Sequence, residues 1–188
     1  QYCSEFLDGK IKVKCLAFED NSGTSAHNTN NAIEHASGDY IHILNHDDFY
    51  YHVDALRDMV NLLEVSGRGW LASACLHTDD NETKLERLHI PSWPGEKDMV
   101  ECVNRIGCPS VVLFKKSDDI RLDTNREILY ALDCELYIQL QRKYGPPDII
   151  KDPSVVIRMW EFQLSRQMNI PLECERSKKY LRQKYGYK

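Results

Sequence analysis

Asn45-His46-Asp47-Asp48 sets two adjacent carboxylates directly after an apolar run at positions 40–44. In an α/β sheet, ligands bind beyond the carboxyl ends of the strands. Neighbouring acids there repel each other unless hydrogen bonds or a cation compensate. Hard divalent cations such as Mg2+ or Mn2+ take oxygen ligands of this kind. The alternative, on spacing alone, is that Asp47 or Asp48 caps the helix that follows. A further acid, Asp133, opens a stretch whose apolar face is marked by Leu136 and Leu140, where a cap is the ordinary use of an aspartate and the helix dipole favours its charge.

The elements that must position these acids are legible as an alternation of strands and helices. Ile11, Val13, Cys15 and Ala17 alternate with lysines, which predicts a strand with one buried face. Asn21-Ser22-Gly23 reads as a turn, where Gly23 supplies a positive φ, and Ser25 is placed to cap a helix through Ala32, Ile33 and Ala36 that stops at Ser37-Gly38. With the strand at 40–44 this makes a βαβ unit. Leu56, Val60 and Leu63 predict the buried face of a second helix, ended by Gly67 and Gly69 before a strand at 70–76. Residues 79–97 are polar and broken by Pro91 and Pro94, a surface excursion with a short strand near 88–90. A strand at 111–114, a helix from about Asp133 to Gly145-Pro146-Pro147 and an extended segment at 154–160 complete the pattern.

In order along the chain, residues 21–28 (NSGTSAHN), 36–41 (ASGDYI) and 44–48 (LNHDD) resemble the family 2 glycosyltransferases. The resemblance continues through Gly107-Cys108-Pro109-Ser110, Leu132-Asp133-Cys134-Glu135-Leu136-Tyr137 and Tyr144-Gly145. It implies a GT-A fold, a mainly parallel sheet flanked by helices. The implied activity is inverting transfer of a sugar from a UDP- or GDP-type donor to a hydroxyl of a saccharide or other acceptor. By the same resemblance Asp133 is the catalytic base. Asn21, Gly23, His27, Asp47 and Asp48 face the donor, Asp47 and Asp48 hold Mg2+ or Mn2+, and Pro109 and Ser110 border the acceptor. His27 stands where many relatives carry an arginine, Asn45 where they carry the first acid of the metal element, and residues 156–161 lack the late histidine that some relatives use as a ligand. The family's first strand, helix and second strand have no counterpart before Lys10, so the chain reads as N-terminally truncated, a fragment or a reduced relative.

Composition bounds these readings. At 188 residues, with 42% hydrophobic and 28% charged residues, the chain suits one globular domain, and neither disorder nor a coiled coil. A net charge of -5 argues against an extended nucleic-acid surface. Residues 176–188 alone are strongly basic, so a basic helix or tail at 170–188 leaves peripheral membrane contact open. Seven cysteines without a CxxC pair predict reduced, mostly buried thiols in a cytoplasmic protein rather than a disulfide framework or zinc site. Sheet surface left uncovered by the missing front would favour a homo-oligomer. Two alternatives remain at this point. One is a non-catalytic, degenerate glycosyltransferase fold. The other is an HD-type metal phosphohydrolase built on His46-Asp47 with His27, His35 or His42, against which the strand-helix alternation speaks.

Overall fold

The structure, a computed structural model, describes residues 25–79, 84–161, 163 and 167–188. The strand expected at 11–17 and the turn at Asn21-Ser22-Gly23 lie outside the described residues.

β3 (Trp70–Thr78) is the middle strand of a six-stranded sheet. Its run of six buried residues from 70 to 75 is what a strand covered on both faces requires. Along one edge β5 (Val112–Lys115) pairs with its first half and β4 (Leu85–His89) with its second. Along the other runs β6 (Asp148–Arg158). β1 (Tyr40–His42) extends the sheet beyond β5, and β2 (Phe49–Tyr50) extends it beyond β6. Only the β3–β6 pairing is parallel among the described pairings, the other four being antiparallel. The described part of the sheet is therefore mixed and partly parallel, where a mainly parallel sheet was expected.

Side chains alternate between two cores, as the pleat demands. Leu71 and Leu113 face α2 (Ala55–Ser66) and join Met59 and Leu63 in a small cluster. Trp70, Ala72, Val112 and Phe114 face the opposite side, where the larger core takes in Met99 of α3 (Glu96–Val100) and Leu136, Tyr137 and Leu140 of α4 (Leu132–Tyr144). The buried face of α2 is Ala55, Met59 and Leu63. Leu56 and Val60, expected in that face, are exposed and half-buried. Met59 and Leu63 pack with Leu71 and Leu113, and Val60 lies at the margin of the same cluster. β6 starts earlier than expected. It carries register shifts opposite residues 73–75, around Pro153, where a residue without an N–H is accommodated.

Two aromatic anchors fix α4 against the sheet. Trp70 stacks on Tyr137, meets Trp93 edge-on and donates its Nε1–H to the Gly145 carbonyl at 2.7 Å. Gly69 has to be glycine because an added Cβ would overlap Cβ, Cγ and Cδ1 of Tyr144. Gly69→Ala is expected to destabilise by about 3 kcal/mol, the upper end for forced overpacking. Thermal denaturation would show this as a fall of roughly 6–12 °C.

α5 (Ile170–Tyr185) closes the same side. Its basic residues turn toward acids: Arg182 pairs with Glu101 at 2.5 Å, and Lys184 with Asp123 at 2.7 Å and Glu135 at 2.6 Å. Glu135 is fully buried and also accepts from Tyr185 Oη and Gln139 Nε2, so the buried charge is paired and saturated as its burial requires. Of the seven cysteines the five described are free thiols. Cys75 and Cys134 are buried, while Cys102, Cys108 and Cys174 are only half-buried, fewer buried than expected.

Candidate functional site

Asp47 and Asp48 sit in the connection between β1 and β2, and neither caps a helix, since α2 begins after Asp54. The two carboxylates have opposite environments. Asp48 is buried. Its Oδ2 accepts from Ser110 Oγ at 2.6 Å and from Asn45 Nδ2 at 3.2 Å, and the Arg158 N–H also donates to the carboxylate. Burial pushes its pKa above the ordinary value, aided by the charge of Asp47 and opposed by the Ser110 and Asn45 bonds. Asp47 is half-buried, and its Oδ2 accepts from Trp160 Nε1 at 3.0 Å. Its other oxygen has no hydrogen-bond partner among the described residues.

The Asp48 network continues inward. Ser110 Oγ also accepts from the Asn45 N–H at 3.0 Å, and the Ser110 carbonyl accepts from His42 Nε2 at 2.8 Å. A carbonyl can only accept, so His42 carries its proton on Nε2, and Nδ1 accepts from Tyr50 Oη at 3.0 Å. Burial lowers the His42 pKa, which keeps the ring neutral. Ser110, expected beside the acceptor, is fully buried, lines neither of the site's two clefts and has its hydroxyl bound to Asp48 and Asn45, so it supports Asp48 from beneath. The sheet brings a residue of the short turn before β5 against the end of β1, and the polar side chain points inward.

Asp133 occupies the second position of α4, after the cap residue Ala131. It accepts the Cys134 N–H at Oδ1, 2.7 Å, and Asn104 Nδ2 at Oδ2, 2.6 Å. The expected capping alternative is thus replaced by a first-turn carboxylate, where the helix dipole favours negative charge. Desolvation nevertheless raises its pKa, with the Cys134 and Asn104 bonds opposing.

Asp133 lines a cleft of about 470 Å3 together with Asn104, Asn45, Pro109 and Tyr130. A second cleft of about 680 Å3 runs along α1 (Ser25–His35) and β1 to His46. The two clefts share Ser25, Thr29, Ile43 and Asn45. Asn30 holds the wall between α1 and Leu122 through paired amide bonds of 2.8 Å to the Leu122 backbone. His27 is half-buried and lines neither cleft. Asn21 and Gly23 lie outside the described residues. Trp160 and Asn104 carry no sequence signal of their own; each is recognisable only by what lies across the fold from it.

The acids do not form a protein-only metal cage. Among the described residues no three His, Cys, Asp or Glu side chains gather in a way that could hold a metal ion, which also removes the phosphohydrolase arrangement of His46-Asp47 with further histidines. One oxygen of Asp47 is left for a hard cation, which takes oxygen ligands of this kind.

No described helix is long and apolar enough to cross a membrane. No curated protein matches the chain. The family model described as glycosyl transferase family 2 matches residues 1–122, which includes Asn45, Asp47, Asp48 and the Pro109–Val111 turn but stops short of Asp133. With strands and helices arranged as a mixed, partly parallel sheet flanked by helices, in the manner of a GT-A fold, this chain belongs to glycosyl transferase family 2.

Proposed function

We propose that the domain transfers a sugar from a nucleotide-diphosphate donor to an acceptor hydroxyl with inversion. The observation that carries this reading is the pair of adjoining clefts, which share Asn45 and have Asp133 in one and His46 in the other. Two substrates must meet at one point for such a transfer, and holding them there removes much of its entropic barrier. In this reading the donor lies along α1 and β1, with its diphosphate near Asp47. The acceptor enters the cleft walled by Pro109 and Tyr130 and presents its hydroxyl to Asp133, which takes the proton as the new glycosidic bond forms. A Mg2+ or Mn2+ ion at Asp47 would neutralise charge on the leaving diphosphate. Asp48 supports the loop from beneath through Ser110 and Asn45.

Calorimetric titration with UDP and GDP, each with and without Mn2+, tests the donor half. Metal-dependent binding is expected, and Asp47→Ala should weaken it about tenfold or more while leaving the fold intact. Binding that is identical with and without Mn2+ would remove the metal from the reading. A second reading, a non-catalytic carbohydrate-binding domain, is favoured by the withdrawal of Asp48 into hydrogen bonds. It requires saccharide binding without nucleotide binding in the same titration.

A further inference from the structure

Asn104 lies in the loop after α3, outside the motifs that carry the family resemblance, and touches two of them, at Gly107 and at the candidate base Asp133. Its amide orientation is fixed by its surroundings. Oδ1 accepts from the Ile106 N–H at 2.8 Å and the Gly107 N–H at 3.1 Å. A flipped amide would set its NH2 group against two N–H donors, so Nδ2 must face the other way. There it donates to the Gly107 carbonyl at 2.9 Å and to Asp133 Oδ2 at 2.6 Å.

The loop can serve Asn104 in this way because Gly107 has φ +117°, a region that L side chains rarely adopt. That backbone turns both its N–H and its C=O toward one side chain. The Gly107 carbonyl also accepts from Tyr137 Oη at 2.9 Å, which fastens the loop to α4 one helical turn beyond Asp133. The loop and α4 are therefore tied at two points, and one of the ties ends on the carboxylate.

We propose that Asn104 is the positioning residue of Asp133, fixing the carboxylate's rotamer and stabilising its ionised form. The proposal rests on Asp133 acting as the base. Among the described residues no Lys or Arg hydrogen-bonds or pairs with Asp133; its donors are the N–H and thiol of Cys134 on its own helix, its own N–H, and Asn104 Nδ2, the donor from outside that helix. The other titratable groups that feel its charge are thiols and phenols. Burial holds Cys102, from the loop after α3, at about 12 and pushes Cys134 and Tyr137 of α4 and Tyr130 of the preceding turn upward. Cys174 of α5 faces Cys102, Cys134 and Tyr130. In such surroundings one short charge-assisted bond from a fixed donor has a large share in deciding how readily the carboxyl ionises.

Asn104→Asp is the informative substitution. The acceptor for Ile106 and Gly107 survives, while the donor becomes a second carboxylate oxygen beside Asp133. Two carboxyls so placed share a proton, and the pair's upper pKa rises. The acidic limb of the pH–rate profile should therefore move up by about one unit or more. Turnover at pH 7 should fall about tenfold or more and return toward the original rate at higher pH. Asn104→Ser, which takes away the amide donor and leaves only a shorter hydroxyl without adding charge, should move the limb in the same direction by less. A role confined to loop structure predicts lower activity at every pH with the limb in place, and that outcome overturns the proposal.

The Asp133 carboxyl, followed by carbon-13 NMR and assigned with Asp133→Asn, gives the same answer without turnover. An upward shift in both Asn104 variants supports the proposal, and unchanged titration overturns it. Should Asp133→Asn retain full transfer, the base assignment fails, whereas the carboxyl titration still decides whether Asn104 controls Asp133.

Discussion

Asp133→Asn is expected to lower sugar transfer by about 10²–10⁴-fold, the usual weight of a positioned general base, while donor affinity changes by less than about twofold. The amide has no lone pair basic enough to take a proton from the acceptor. It also cannot match the site. Both carboxylate oxygens accept hydrogen bonds, from Cys134 N–H and Asn104 Nδ2, and an asparagine offers only one acceptor in their place. Stability should move little, because two effects oppose. One hydrogen bond is lost. Against this, burial raises the Asp133 pKa, so the native state binds this proton more tightly than the unfolded chain does. The stability linked to that proton is complete below the unfolded pKa and is lost as pH rises through the folded value. At neutral pH the ionised carboxyl is thus a cost that asparagine removes. Turnover measured beside thermal denaturation separates the two roles: activity lost at an unchanged melting temperature is the expected result. Normal turnover would remove Asp133 as the base. In the unmodified protein the raised pKa should also appear as an acidic limb above the ordinary carboxylate range.

How much of this was legible beforehand depends on whether a feature is local or distant in sequence. The acids at the end of β1 were visible because an apolar run followed by Asn45-His46-Asp47-Asp48 is a local pattern, and local patterns follow strand and helix periods. Asp133 was visible for the same reason, although its place inside the first turn rather than at the cap depends on Ala131 taking the cap position. The partners of these acids were not visible. Ser110 reaches Asp48 across 62 positions and Trp160 reaches Asp47 across 113. Periodicity says which face a side chain occupies, but not which element it meets. Pro109 and Ser110 show the difference within one short turn: adjacent residues point to opposite sides, so Pro109 lines the Asp133 cleft while Ser110 is enclosed beneath it. The face of α2 was misjudged on similar grounds. Periodicity pointed to Leu56, whereas Met59 is the residue that is buried with Leu71 and Leu113.

Ser110→Ala is the second large effect expected, and it acts on stability. The hydroxyl is fully buried and makes two bonds: it donates to Asp48 Oδ2 at 2.6 Å, shorter than the bonds from Asn45 Nδ2 and Cys108 Sγ to the same oxygen, and accepts from the Asn45 N–H at 3.0 Å. A hydrogen bond to a buried charge contributes roughly 1.5–3 kcal/mol, and an orphaned backbone donor adds to the loss. The substitution should destabilise by about 3 kcal/mol, a fall in melting temperature of roughly 6–12 °C. Its pH dependence identifies the cause. The Ser110 bond lowers the Asp48 pKa against the larger effect of burial, so removing it raises the folded value further. A group raised in this way contributes stability that is complete below the unfolded pKa and disappears as pH rises through the folded one. The variant's deficit should therefore be greatest at neutral pH and shrink as pH falls toward the ordinary carboxylate range, where Asp48 is protonated and makes less demand on its donors. Denaturant titration at neutral and acidic pH would show this convergence. A deficit that stays constant across that range would mean that Ser110 supports the loop through packing alone, and that the Asp48 charge is held by Asn45 and the Arg158 N–H without it.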